Sequence, residues 1–195
     1  MTPPDESPSD DGSARRPAIY TRTGDDGTTG LLFGGRVRKD EPAPSAYGTV
    51  DEAQAVVGVV RALLAGADAD LDAVLVDVAR DLWVLMSELA TAPENQDRLE
   101  DGRTRVSSEM VLAVEHRIDE FAARFQPPAE FVVPGADPVS AHLDLARTVV
   151  RRAERLSLAA AHDDSLATVY LNRLSDLMWT LARFAEGETL PVRSI

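Results

Sequence analysis

The sequence contains no cysteine and only one lysine, Lys39, among its 195 residues. Without cysteine, the chain can form neither a disulfide framework nor a thiolate metal site. The three histidines, His116, His142 and His162, are widely separated and do not form a metal-ligand pattern. Aromatic residues make up only 5% of the chain, and alanine and leucine supply much of its apolar content, which favours helices over sheets.

The chain is also poor in positive charge, with a formal net charge of −13. Such a surface repels nucleic acids and anionic membranes, and no apolar run approaches the length of a transmembrane span. Residues 1–16 are acidic and proline-rich and lack an apolar stretch, so we predict a disordered tail rather than a signal peptide. We predict one domain over residues 17–195 and a cytoplasmic protein.

The periodicity of apolar residues predicts five helices, with spans of about 44–65, 71–90, 107–125, 138–161 and 166–185. They follow a Gly-, Thr- and Asp-rich segment at 17–40, which we predict to be a loop with a short extended piece at 18–21. No strand alternation of useful length is found. The predicted fold is therefore all-α: a five-helix bundle in a ferritin-like up-down arrangement, preceded by an irregular loop.

The glycine-rich segment is a candidate phosphate site. Gly24, Gly27 and Gly30 lie three residues apart among threonines, and glycines allow backbone N–H groups to turn toward an anion. The segment lacks the GxxxxGK[ST] pattern of a P-loop. By pattern alone, a plain turn is the commoner structure for such a segment.

The fourth predicted helix carries a basic run, in which four arginines occur within nine residues: Arg147, Arg151, Arg152 and Arg155. By pattern alone, the favoured interpretation is the solvated face of an amphipathic helix, with an Arg151–Glu154 ion pair. The alternative is an anion clamp, because guanidinium groups match phosphate oxygens. One observation supports the clamp, since the four arginines are concentrated on one helix of a strongly acidic chain.

Three further features have both a structural and a functional interpretation. Asn172 and Asp176 share a helix face, although polar surface residues often do. Asp51 lies beside a strip of small residues that would allow another helix to approach, or it is an exposed acid in a first helical turn. Phe131 begins an apolar loop that either packs on the bundle or presses on a flat cofactor.

Six strings in order resemble the PduO-type corrinoid adenosyltransferases: YTRTGDDGTTGL, RVRKD, AYGTVDE, FVVPGADP, HLDLARTVVRRAER and YLNRLSD. They extend from Tyr20 to Asp176. Each string is weak alone, but six in the correct order form a specific signal. The resemblance implies a five-helix bundle that assembles as a homotrimer, with its sites between neighbouring subunits.

The resemblance also implies roles for particular residues. Arg147 matches an arginine that pairs across the subunit boundary with the acid matching Asp51. Phe131 matches the aromatic residue that displaces the lower axial ligand of cobalamin, so these three form the cobalamin side. The implied ATP contacts are Thr21, Arg22, Thr23, Gly24, Thr29, Gly30, Lys39, Arg151, Arg152, Glu154, Arg155 and Asn172.

The implied reaction transfers the 5′-deoxyadenosyl group of ATP to Co(I) of cobalamin and releases triphosphate. Mg²⁺ would bind through the ATP phosphates, with no direct protein site. The implied partners are a flavin reductase and a cobalamin-dependent mutase. One alternative is a carrier or chaperone that delivers adenosylcobalamin to a mutase without much catalysis. Another is a trimeric bundle that regulates a partner with ATP and binds no corrinoid.

Overall fold

The computed structural model describes residues 19–187 and 190–192. In the described part, the chain forms a helical bundle, as the sequence predicts. The helices are α1 (Pro42–Leu64), α2 (Ala69–Leu89), α3 (Ser108–Ala122), α4 (Pro138–Ser157) and α5 (Ala167–Glu186), with a 3₁₀-helix at Pro93–Arg98 between α2 and α3. The predicted tail at 1–16 lies outside the described residues and stays a prediction.

Helix packing follows the apolar stripes. Helix α4 packs against α1 and α5, α1 also packs against α2, and α5 also packs against α3. The core between them is built mainly of leucine, valine and alanine. A polar contact joins α5 to α2: the Tyr170 hydroxyl donates to Asp81 at 2.8 Å, and burial raises the pKa of both groups. Helices α4 and α5 pack against each other and each against a further helix, so they form the centre of the bundle.

The N-terminal segment contains a small sheet that the sequence analysis did not predict. Strands β1 (Thr28–Gly30) and β2 (Arg36–Arg38) pair antiparallel. Each has three residues, too few to show an alternating pattern, and the connecting glycines take positive φ angles that favour the turn. The predicted extended piece at 18–21 is not a strand at Ile19–Thr21, and Ala18 lies outside the described residues.

Contacts with the bundle hold this hairpin in place. The Leu32 N–H donates to the Ala90 carbonyl at the end of α2 at 2.8 Å. The Arg98 guanidinium lies 4.4 Å from the centre of the Phe33 ring and donates to the Phe33 carbonyl at 3.1 Å. The hairpin is thus attached to the end of α2 and to the 3₁₀-helix.

Helix starts agree with the sequence better than helix ends. Asp137 caps α4, because its Oδ1 accepts from the N–H groups of Val139 and Ser140. Helix α4 ends at Ser157 rather than near 161, and α3 ends at Ala122 rather than near 125. Ser157 is followed by one leucine and three alanines, at 158–161, so no Gly or Pro marks the end of α4.

No helix within 19–187 combines the length and hydropathy needed to cross a bilayer.

Candidate active site

The outer face of α4 carries three exposed arginines. Arg152 forms an ion pair with Glu52 of α1. The Arg155 Nη1 donates to the Arg151 backbone carbonyl at 2.8 Å. Within residues 19–187 and 190–192, no carboxylate lies within ion-pair distance of Arg151 or Arg155, so the Arg151–Glu154 pair expected from spacing does not form. Two guanidinium groups are thus available to an anion.

A chain of hydrogen bonds runs beside these arginines, from α4 across α5 to α3. The Asn172 Nδ2 donates to Glu154 Oε1 at 3.1 Å, while Asn172 Oδ1 accepts from Arg173 Nη1 at 2.8 Å. The Arg173 Nε donates to Glu115 Oε1 at 2.8 Å. The structure therefore joins two predicted ATP contacts, Glu154 and Asn172, with two residues that the sequence analysis did not select.

The glycine-rich loop is closed by side chains from β2 and from the residue after it. The Lys39 Nζ donates to the Gly24 carbonyl at 2.8 Å. A Cβ at Gly24 would lie 3.0 Å from the Thr28 carbonyl and 3.1 Å from the lysine nitrogen, so a larger residue would force the loop or Lys39 to shift by a few tenths of an ångström. The Arg36 Nη2 donates to the carbonyl of Thr23 at 2.5 Å and to the Thr28 hydroxyl at 2.6 Å.

Other loop residues are exposed and oriented locally. The hydroxyls of Thr21 and Thr23 are 2.8 Å apart, and Arg22, at a φ of 60°, lies with its guanidinium 5.4 Å from the Tyr20 ring centre. The Asp26 carboxylate accepts from the hydroxyl and N–H of Thr28, which lowers the pKa of Asp26. The loop is therefore preformed, with hydroxyls and one arginine directed outward.

Asp51 and Arg147 are not brought together within one chain. Asp51 is exposed on α1 and has no hydrogen-bond or ion-pair partner among the described residues. Arg147 is half-buried, and its Nε donates instead to Asp144 Oδ1, one helical turn earlier, at 3.3 Å. The Asp51–Arg147 contact implied by the resemblance therefore does not occur within the described chain.

Phe131 lies on the loop before α4 with its side chain 89% exposed. The backbone of this loop is tied to the C-terminal segment, since the Val192 N–H donates to the Phe131 carbonyl at 2.8 Å. Beside the loop is a cleft of about 830 Å³, within the size range of small-molecule sites. Its lining combines loop residues with Arg147 and with Trp179 of α5.

The floor of this cleft contains a buried group of charges. Arg183 is 2% exposed, and its Nη2 donates to Asp144 Oδ2 at 2.6 Å and to Glu186 Oε2 at 2.8 Å. Burial raises the pKa of Glu186, and nearby Asp144 and Asp137 act in the same direction. We name Arg183, Asp144 and Glu186 the buried charge cluster. Arg147 extends it to the cleft surface.

A model of the cobalamin adenosyltransferase family matches residues 19–185. The chain belongs to this family. It is 42% identical over 171 residues to a corrinoid adenosyltransferase of Citrobacter freundii, an alignment that covers 86% of this chain and 94% of that protein. It is 37% identical over 176 residues to a corrinoid adenosyltransferase of Bacillus subtilis, with 88% of each protein covered.

The fold matches solved structures of the same family. A variant PduO-type ATP:corrinoid adenosyltransferase from Lactobacillus reuteri, complexed with cobalamin and ATP, superposes with a TM-score of 0.80 at 27% identity. The match covers 91% of this chain and 97% of that one. The resemblance inferred from the six ordered strings, and the helical bundle it implies, are confirmed.

Several residues around the cleft and loop of this adenosyltransferase-family chain were missed at the sequence level. Arg36 closes the loop, Trp179 lines the cleft and Arg183 forms its buried floor. Only Arg183 left a signal, as a charge inside the apolar run of α5. Its partner Asp144 is 39 residues away along the chain, beyond the reach of any local pattern.

Proposed function

We propose that this protein transfers the 5′-deoxyadenosyl group of ATP to the Co(I) centre of a reduced corrinoid, giving an adenosylated corrinoid and triphosphate. Co(I) forms a bond to C5′ while the bond from C5′ to the triphosphate oxygen breaks, and the electron pair leaves with that oxygen. The nucleophile belongs to the substrate, so the protein needs no general base. The named relatives are corrinoid adenosyltransferases, which supports this reaction class.

The observation that carries the proposal is the pair of free arginines on α4. Arg151 and Arg155 have no acid partner in the described chain, although the sequence has 33 acidic residues against 20 basic ones. Exposed guanidinium groups are suited to the triphosphate, whose negative charge increases as the C5′–O bond breaks. Glu154 and Asn172 lie beside them and would contact the same nucleotide.

We propose that the glycine-rich loop supplies the other half of the ATP site. Its proposed contacts are Thr21, Arg22, Thr23, Gly24, Thr29, Gly30 and Lys39. Arg152 is also proposed to bind ATP, which requires it to exchange its Glu52 partner for a phosphate. We propose that Mg²⁺ binds through the ATP phosphates, with no direct protein site.

The proposed assembly is a homotrimer in which each ATP lies between two copies. No hydrogen bond or ion pair joins the glycine-rich loop to α4 within the described chain. In the proposed trimer, the loop of one copy faces α4 of its neighbour. Three apolar side chains, Val59, Leu63 and Leu145, are partly exposed on α1 and α4 and are suited to such a boundary. Light scattering should then give three times the chain mass of 21.0 kDa.

The proposed corrin side consists of Phe131, Arg147 and the cleft beside them. Burial of an exposed phenylalanine side chain contributes about 1.5–3 kcal/mol of favourable free energy, so contact with a corrin face would be favourable. Phe131 would occupy the space of the lower axial ligand and keep it dry, which makes Co(II) easier to reduce. The Asp51–Arg147 pair across the boundary is part of the same proposal.

The decisive experiment mixes purified protein with ATP, Mg²⁺ and chemically reduced cobalamin. We expect adenosylcobalamin and triphosphate in equal amounts over many turnovers. Absence of product contradicts the proposal. Tight binding of adenosylcobalamin without turnover would favour the carrier alternative, and absence of any cobalamin spectral change would favour a nucleotide-dependent regulator.

Phe131→Ala tests the corrin side separately. We expect this variant to bind ATP normally but to reduce bound Co(II) poorly, because the lower axial position stays open to a ligand. The visible spectrum of Co(II) cobalamin with protein and ATP shows whether the lower axial position is free of a ligand. Leu112→Ala is the control, since Leu112 is also exposed but lies on α3. Equal losses of ATP binding and Co(II) reduction would refute the role of Phe131.

We further propose that the protein acts in the cytoplasm. There it would receive electrons for the corrinoid from a flavin reductase and pass its product to a cobalamin-dependent mutase.

A further inference from the structure

Arg173 lies between a predicted nucleotide contact and a helix outside the proposed site. Its Nη1 donates to Asn172 Oδ1 at 2.8 Å, and its Nε donates to Glu115 Oε1 on α3 at 2.8 Å. One guanidinium thus bridges α3 and the Asn172 side chain. None of the reaction steps proposed above uses Arg173 or Glu115.

The neighbours of Asn172 allow only one orientation of its amide. A guanidinium can only donate hydrogen bonds and an ionised carboxylate can only accept them. Arg173 therefore fixes the carbonyl oxygen on its own side, and Glu154 receives an N–H from the other side at 3.1 Å. The second Nδ2 hydrogen has no partner among the described residues and can donate to a ligand.

We propose that Arg173, anchored by Glu115, is a positioning residue of the ATP site that holds the Asn172 amide in the orientation needed to bind the nucleotide. The inference rests on the proposed function for the identity of the ligand. The orientation itself rests only on the hydrogen bonds. Without Arg173 the Asn172 oxygen loses its donor, and only the contact with Glu154 still orients the amide.

A merely structural role for this ion pair is disfavoured by its exposure. Both side chains are 40% exposed, and such pairs add little to stability. The chain offers a matched pair: Arg117 and Glu120 are each 39% exposed, with a contact also of 2.8 Å, and neither touches a proposed nucleotide contact. Arg117→Met is therefore the control for the loss of an exposed arginine–glutamate pair away from the proposed site.

The first test compares the kinetics of the two variants in the full-length protein. For Arg173→Met we expect KM for ATP to rise about 3- to 10-fold, the cost of one misplaced hydrogen bond, with kcat within about twofold. Arg117→Met should leave both constants unchanged. Glu115→Gln keeps an acceptor oxygen and should have a smaller effect, and its combination with Arg173→Met should add nothing further. Both methionine variants should unfold within about 4 °C of the wild type.

The second test does not depend on activity. The chain contains only two asparagines, Asn95 and Asn172, so ¹⁵N-asparagine labelling gives two side-chain NH₂ pairs in an NMR spectrum. We expect Arg173→Met to shift the Asn172 pair and leave the Asn95 pair in place, while Arg117→Met shifts neither. If Arg173→Met does not fold, Glu115→Ala removes the anchor of the same contact.

The outcomes separate the two proposals. A shifted Asn172 signal with a raised KM supports the inference. A shifted signal in a protein that makes no adenosylcobalamin supports the orienting contact and refutes the proposed reaction. An unchanged Asn172 signal, or equal KM changes in Arg173→Met and Arg117→Met, overturns the inference even if the wild type is an active enzyme.

Discussion

The arginines around α4 form two groups that differ in what neutralises their charge. Arg183 is buried against two carboxylates, so its charge is compensated inside the fold. Arg151 and Arg155 are exposed and have no acid partner in the described chain. A buried arginine requires such partners, whereas an exposed arginine is solvated by water and can bind an anionic ligand. The comparison separates arginines that stabilise the bundle from those available for binding.

The largest expected effect is on the buried side. Arg183→Met leaves Asp144 and Glu186 buried without their shared cation, which should lower the free energy of unfolding by about 3–5 kcal/mol. Urea denaturation at fixed protein concentration measures it. Arg61→Met is the control, since Arg61 pairs with Asp72 at 2.8 Å on the surface. A loss below about 1 kcal/mol for Arg183→Met would remove the distinction between the two groups.

The next effect is on catalysis. Arg151→Ala should lower kcat/KM for ATP by a factor equivalent to about 1.5–3 kcal/mol, the usual worth of a hydrogen bond to a charged group. Because Arg151 is exposed and unpaired, stability should change by no more than about 0.5 kcal/mol. Steady-state kinetics and thermal unfolding measure the two quantities. Arg80→Ala is a control on α2, and turnover within about twofold of the wild type would show that Arg151 does not bind the triphosphate.

A smaller, pH-dependent effect is expected from Glu186. Burial raises its pKa above the ordinary value of 4.5, so the folded protein holds this proton at a pH where the unfolded chain has released it. Its contribution to stability is therefore present below about pH 4.5 and is lost as pH rises through the raised pKa.

Glu186→Gln tests this by removing the titration. Relative to the wild type, the variant should gain stability as pH increases from about 4.5, because no buried carboxyl group has to ionise there and Asp144 and Asp137 no longer face an ionised neighbour. Urea midpoints measured from pH 4 to 8 give the comparison, and Glu120→Gln on the surface serves as the control. A difference that does not change with pH would mean that the Glu186 pKa is not raised.

The smallest effect is expected for an arginine that is exposed and paired. Glu52→Gln removes the charged partner of Arg152 and should cost about 0–1 kcal/mol of stability. It also turns Arg152 into an unpaired arginine like Arg151, so we expect KM for ATP to stay the same or fall slightly. Thermal unfolding and ATP kinetics measure both effects. A rise in KM would show that the pair with Glu52 helps ATP binding.

The sequence predicts the helices well because their signals are local. Asp137 followed by Pro138 marks the start of α4, and the structure shows the corresponding cap. The hairpin was missed because its strands are too short to show a period. Helix ends were less predictable, since nothing in the apolar residues after Ser157 marks a stop.

The candidate site likewise contains features that are local in sequence and features that are not. The arginine row on α4 is visible in the sequence because its members lie a few residues apart. The contacts of Arg173 with Glu115 and of Arg183 with Asp144 join residues 58 and 39 positions apart, so only the folded bundle reveals them. The Arg151–Glu154 ion pair expected from spacing does not form, because Glu154 accepts a hydrogen bond from Asn172 instead.

Lys39 closes the glycine-rich loop with the only side-chain amine in the chain. Amine-directed chemistry therefore has a single internal target, located in the proposed ATP site. A lysine-specific protease would cut the polypeptide at one bond, and an amine-reactive dye would label this one side chain. Slower labelling in the presence of ATP would report occupancy of the loop without any engineered probe.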